Sequence, residues 1–255
     1  MGTSSIFNGR NDRNPLLPND YEPNQDENQN VVEPVKWQTV KSGMSKYIKS
    51  GGSNGSARHI AQQYVKAAGG SHRMVSQAHS GIKAGGNIGG FFNGILSNGL
   101  DATFKNLGIE YVGKPVTEVF SRLVDIIAPD SNTKEDIAAK EAVQAALAKV
   151  YDYVEANEMS IESIDNMPPE LMTEALKEYV SSYIWISMMK DLGSRLEMYI
   201  ADSQDSYSKE CEFKDMIAGI VDVEFRNKGD VIDKNVSSTI KDLYERCLSV
   251  LEGIV

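Results

Sequence analysis

TKEDIAAKEAVQAALAKVYDYV, residues 133–154, carries the clearest secondary-structure signal in the chain. Thr133 is placed to cap a helix, because its side-chain oxygen can accept a hydrogen bond from an amide left unpaired in the first turn. Glu135 and Asp136 follow within that turn, where carboxylates complement the positive end of the helix dipole. Ala138, Ala142, Ala145, Ala146, Val150, Tyr153 and Val154 then recur at three- and four-residue spacing, which predicts one buried stripe. The same rhythm continues towards the C-terminus. Pro168-Pro169-Glu170 predicts the start of a long helix through Met172, Leu176, Val180, Tyr183 and Ser187 towards Leu196, disturbed near Gly193. Phe213, Met216, Ile217, Ile220 and Val221 predict another. Ile240, Leu243, Tyr244, Cys247, Leu248, Leu251 and Ile254 predict the last. Four amphipathic helices with short connections point to a helical bundle. No sustained alternating run suggests a sheet, so the fold class expected is all-α.

Upstream the composition changes. From Pro34 to Leu100 there is no Asp or Glu, while Lys36, Lys41, Lys46, Lys49, Arg58, Lys66, Arg73 and Lys83 supply eight positive charges. Residues 101–255 carry sixteen Lys and Arg against thirty Asp and Glu. The basic block also contains thirteen of the 21 glycines, so the boundary is a change of polymer character as well as of charge. Three divisions are expected: a flexible tail over 1–33, a basic glycine-rich helical region over 34–129, and an acidic helical bundle over 130–255. Within the basic region Val35, Val40, Met44, Tyr47 and Ile48 predict a helix stopped at Gly51-Gly52. Ala57–Ala67 predicts a second, ended by Gly69-Gly70, and His72–Lys83 a third, ended by Gly85-Gly86. Ile88–Leu107 is apolar but threaded with Gly89, Gly90, Gly94 and Gly99. Each helical glycine costs ~1 kcal/mol relative to alanine, so close approach of another helix is the expected reason for them. A turn at Gly113-Lys114-Pro115 then leads into a helix through Val119, Phe120, Leu123, Ile126 and Ile127, ended by Pro129.

The first residues, MGTSSIFNGRNDRNPLLPNDY, are poor in helix and strand formers and too polar to offset their ordering entropy. They nevertheless hold two features suited to being gripped by a partner. Gly2 becomes the first residue once Met1 is trimmed, and Pro15-Leu16-Leu17-Pro18 forms an apolar knot. The opening MGTSS, the NPLLP that follows, WQTVKSGMSKYIKSGG (37–52), YVKAAGG (64–70), the glycine-broken stretch 88–107 and LGIEYVGKPVTEVFSRLVDIIAP (107–129) together resemble the QatB proteins of the Qat anti-phage defence systems. The resemblance implies a role beside an ATPase, a QueC-like enzyme (QatC) and a TatD-like nuclease. It also implies that the QueC-like partner binds the tail through Gly2, Thr3, Ser4, Ser5, Pro15, Leu16, Leu17 and Pro18, and joins a deazaguanine-type group to the amino group of Gly2. Any ATP, zinc or deazaguanine chemistry would then belong to that partner. This chain would be a non-enzymatic adaptor with no cofactor of its own.

The alternative class is a nucleic-acid- or membrane-binding effector acting through the basic block. Lys41, Lys46, Lys49, Arg58, Lys66 and Arg73 are its candidate anion-binding residues, with Tyr47 and Tyr64 available for stacking. The chain as a whole is acidic, at a formal −10, and no helix-turn-helix or RNA-binding motif is legible. An acidic protein partner therefore ranks first for this block, its own acidic half second and nucleic acid third. Phe91 and Phe92 lend 89–107 some membrane-surface character, although a core helix is the commoner outcome. His59, His72 and His79 have no carboxylate between Glu33 and Asp101 to help them hold a metal. Gly85-Gly-Asn-Ile-Gly-Gly90 lacks the Lys and Ser/Thr of a phosphate loop. The carboxylate pairs Glu135/Asp136 and Glu210/Glu212 read as solvated helix faces. Cys211 and Cys247 read as reduced thiols on apolar faces. The longest apolar-looking run, 180–189, is too short to span a bilayer, and a cytoplasmic protein without a transmembrane segment is expected.

Overall fold

The computed structural model describes residues 35–49, 56–128, 130–197, 203–229, 231–232 and 235–254. The described residues form nine α-helices and contain no strand, as the periodicity predicts. In chain order these are α1 (Trp37–Lys49), α2 (Ala57–Ala67), α3 (Ser71–Gln77), α4 (His79–Leu107), α5 (Val116–Ile127), α6 (Lys134–Ala156), α7 (Pro169–Glu197), α8 (Ser203–Lys228) and α9 (Val236–Glu252). A short 3₁₀ helix, Ile161–Asn166, links α6 to α7. The chain divides into two compact units, each assembled from separated segments. One comprises Met1–Met74, Asp191–Phe213 and Leu248–Val255, and the other Val75–Lys190 and Lys214–Cys247. This division follows spatial contact, whereas the composition boundary near residue 130 follows the chain.

In the first unit α1 lies against α2. Trp37 meets Tyr64 edge-on at 5.6 Å between ring centres, and Tyr47 meets Phe213 edge-on at 6.3 Å. Aromatic pairs in this geometry contribute ~1 kcal/mol beyond their burial. Val40, Met44 and Ile48 complete the buried stripe of α1, and Ile60, Ala61 and Val65 that of α2. Ser56 caps α2 by accepting from the His59 amide. Gly69 and Gly70, with φ of 96° and 90°, end it as the sequence predicts.

The second unit is organised on α4, which packs against α5, α6 and the 3₁₀ helix. Here the expectation of a helix stop at Gly85-Gly86 is wrong. α4 runs through both glycines, and the break falls earlier, at Ala78, between α3 and α4. The reason lies in the space around the helix. A side chain at Gly85 would meet Tyr179 at 2.7 Å and Ile240 at 2.8 Å, and a Cβ at Gly86 or Gly89 would run into Ser237 or Val236. Close approach is thus the cause at Gly89, as expected, but not throughout. Gly90 has no neighbour within 4 Å, and Gly99 breaks the helix with φ of 79°.

Thr133 caps α6 as predicted, in a reciprocal box. Its hydroxyl accepts from the Asp136 amide, and the Asp136 carboxylate accepts from the Thr133 amide. The expected disturbance at Gly193 does not occur, because α7 continues to Glu197. Ile254 lies just past α9 and is 67% exposed, so the last apolar residue of that stripe is not buried. Phe91 and Phe92 are core residues of α4 rather than a membrane-facing pair. No helix among the described residues is long and apolar enough to cross a membrane.

Candidate functional site

Gly2, Thr3, Ser4, Ser5, Pro15, Leu16, Leu17 and Pro18 lie outside the described residues. The basic candidates fall on the first three helices, all in the first unit. Lys41 is half-buried and Lys46 exposed on α1, and Lys49 is the last residue of that helix. Arg58 is exposed and Lys66 half-buried on α2, while Arg73 is half-buried on α3. Lys46 and Lys66 stand opposite the buried stripes of α1 and α2, whereas Arg58 lies at the edge of the α2 stripe, on the side of Val65.

Three carboxylates of the first unit are engaged within it. Glu252 accepts from the amide and hydroxyl of Ser71 at 2.8 and 2.7 Å, and Asp191 accepts from the Tyr64 hydroxyl at 3.0 Å. Glu212 pairs with Lys209 at 2.5 Å, a hydrogen bond that holds its carboxyl below the usual value. The Lys209 ammonium also sits 5.1 Å above the ring of Tyr47.

The best-built polar site in the second unit was missed by sequence reasoning. Glu135 is half-buried rather than solvated, and Asp136 is buried at 8% exposure. One Glu135 oxygen accepts from the Gly81 amide at 2.7 Å and from the Tyr183 hydroxyl at 2.9 Å. Asp136 accepts from the Ser80 hydroxyl at 2.5 Å. That bond, followed by the Thr133 hydroxyl, lowers the Asp136 pKa. The Tyr179 hydroxyl donates to the Gly81 carbonyl at 2.5 Å. Burial raises the pKa of both Tyr179 and Tyr183, which keeps their hydroxyls protonated as donors. These groups satisfy one another around the first turn of α4, so their chemistry is that of a clamp. The signal that could have exposed it is the capping box itself, since an Asp at that helix position is turned back towards its own cap.

Glu210 is half-buried and Glu212 exposed, and the three histidines are exposed. No group of three His, Cys, Asp or Glu among the described residues is arranged to hold a metal ion. Cys247 is fully buried, and burial pushes its thiol up to about 12, whereas Cys211 is half-buried. An open depression of about 440 Å³ lies over the start of α5. It is lined by Glu110, Lys114, Glu118 and Arg122 with Gly108 and Val119, and Lys114 and Glu118 pair across it at 3.0 Å.

No curated protein and no solved structure matches the chain. A family model does match it, that of the Qat anti-phage system associated protein QatB, over residues 69–251. The matched span begins beyond the tail and includes the acidic helices, where the sequence shows only a generic helical pattern. It contains α3 to α8, nearly all of α9, the glycine row of α4 and the Glu135 clamp. With well over half of its length matched, the chain belongs to the QatB family and is a component of a Qat anti-phage system.

Proposed function

We propose that this protein is a non-enzymatic adaptor whose N-terminal tail is bound by the QueC-like partner, QatC, and modified by it at Gly2 with a deazaguanine-type group. Family membership carries the reading, because it sets the chain among the components of one defence system. The tail sequence supports the rest. A glycine amino group has no side chain to obstruct an activated carboxylate, and its ordinary pKa of about 7.7–8.0 leaves a neutral, nucleophilic fraction near pH 7. Leu16 and Leu17 supply the apolar hold. Burying one leucine stabilises a complex by ~1.5–3 kcal/mol, so two suffice to retain a tail whose terminal residues are small and polar.

The test is a pull-down of the QueC-like partner by the full chain. Leu16→Asp with Leu17→Asp should lower recovery by at least about tenfold, roughly 1.4 kcal/mol. Gly2→Trp should leave recovery intact and abolish modification. Unchanged recovery with both aspartates would refute the apolar hold. The ATPase and the TatD-like nuclease are the other proposed partners within the system.

A further inference from the structure

The depression over the start of α5 is lined by two charges of opposite sign that nothing among the described residues answers. Lys114, Glu118 and Arg122 follow one another at four-residue spacing, which sets them along one side of α5 and the turn that leads into it. Glu118 gives its carboxylate to Lys114 at 3.0 Å and not to Arg122. Arg122 is exposed, and its guanidinium makes no hydrogen bond or ion pair with a described residue. Glu110, just before that turn, is exposed and equally uncommitted. The two line the same open space of about 440 Å³ without pairing across it. We propose that this depression binds a small zwitterion of dipeptide size, with the ligand carboxylate on Arg122 and the ligand ammonium on Glu110.

Charge sets the class of ligand. The lining holds two cations and two carboxylates, so a simple anion that reached Arg122 would also meet Glu110 and Glu118. A simple cation at Glu110 would meet Lys114 and Arg122 in the same way. A molecule with one charge of each sign finds an opposite charge at both ends. A guanidinium suits a carboxylate because it offers two parallel hydrogen bonds, and a carboxylate accepts readily from an ammonium. Size sets the length. A space of 440 Å³ is about 9 Å across if it is as deep as it is wide, and an extended dipeptide holds its end charges roughly 7 Å apart. The remaining lining residues are Gly108, which has no side chain, and Val119, which is only 2% exposed. Little apolar area is therefore on offer, and the charges carry the recognition. Pairs this exposed are individually weak and screened by salt, so binding is reversible and weakens as ionic strength rises. Every lining residue belongs to the second unit. The inference stands whether or not Gly2 is modified.

Titration of the isotope-labelled full chain with diglycine, followed by NMR at low salt, tests the assignment. Amide signals from residues 108–122 should shift and saturate below about 20 mM ligand. N-acetyl-diglycine lacks the ammonium and diglycine amide lacks the carboxylate, and each should bind at least about fivefold more weakly. Glu110→Gln should erase the preference for diglycine over its acetylated form and keep the preference over the amide. Arg122→Gln should do the reverse. Both side chains are exposed, so neither substitution threatens the fold. The proposal is overturned if no saturable shift maps to 108–122, or if the three compounds bind equally. It is overturned as well if diglycine keeps both preferences in the two variants, because its charges would then be met elsewhere.

Discussion

The first turn of α4 and the α1–α2 pair solve opposite problems. Around the first turn of α4, Gly81 is met by Glu135 and Tyr179, Ser80 by Asp136 and Tyr183 by Glu135, all within the second unit. In the first unit, Lys46 and Arg58 are exposed on helices that contain no acidic residue. The first region is closed on itself and reads as architecture. The second is open and reads as a surface meant for something beyond the described residues. Charge by itself does not separate them, for Glu135 and Lys46 are both charges on amphipathic helices in the sequence. What separates them is whether the neighbouring backbone and hydroxyl groups converge on the charge.

The sharpest way to break this contrast is to crowd the closed region. A Cβ at Gly81 would collide with the ring of Tyr183. Gly81→Val should therefore destabilise the protein by about 3 kcal/mol in urea unfolding, whereas Gly90→Ala, which meets nothing, should stabilise it by up to ~1 kcal/mol. Equal effects would refute the close-packing account of the glycine row. Next in size is Glu135→Ala, which strands the Gly81 amide and the Tyr183 hydroxyl and should cost about 2 kcal/mol. Asp136→Asn weakens the cap of α6 and should cost about 1 kcal/mol at pH 7. Because the folded carboxyl titrates below its unfolded value, its contribution is complete above about pH 4 and is lost as pH falls through the lower folded value. The gap in Tm between wild type and Asp136→Asn should hold from pH 7 to 5 and close below about pH 4. The smallest effect belongs to Lys177, which pairs with Glu174 and Asp222 at 2.6 and 2.9 Å near the surface. Lys177→Ala should cost no more than about 1 kcal/mol and lose that difference in high salt.

Much of the architecture was legible because it is local. Ala57–Ala67 begins after a serine cap and ends at two glycines with positive φ, and both signals are intrinsic to the residues concerned. Thr133 is legible as a cap in the same way, whereas Asp136, read as solvated, is buried. Gly85-Gly86 misled for the opposite reason. A glycine pair looks the same in sequence whether it ends a helix or admits Tyr179, Ile240 and Ser237 against one, and only the tertiary neighbours decide. The break at Ala78 carries neither glycine nor proline, so it had no local signature. The capping box could point to Asp136, but the partners of Glu135 in the clamp lie 48 and 54 residues away in sequence and leave no local sign. As to the site, the basic run 34–100 was visible as charge, but which of its cations are exposed required the fold. The tail's features are matters of sequence, and the family match starts beyond them.

Modification of Gly2 by the QueC-like partner is read in the intact mass of the protein. The chain would be expressed alone and together with its QueC-like partner, then weighed whole and after digestion. Modification gives a mass gain that depends on the partner and maps to the N-terminal peptide, at Gly2 after loss of Met1. An unchanged mass in the presence of a stable complex would contradict it and leave a binding subunit whose tail is held but never modified.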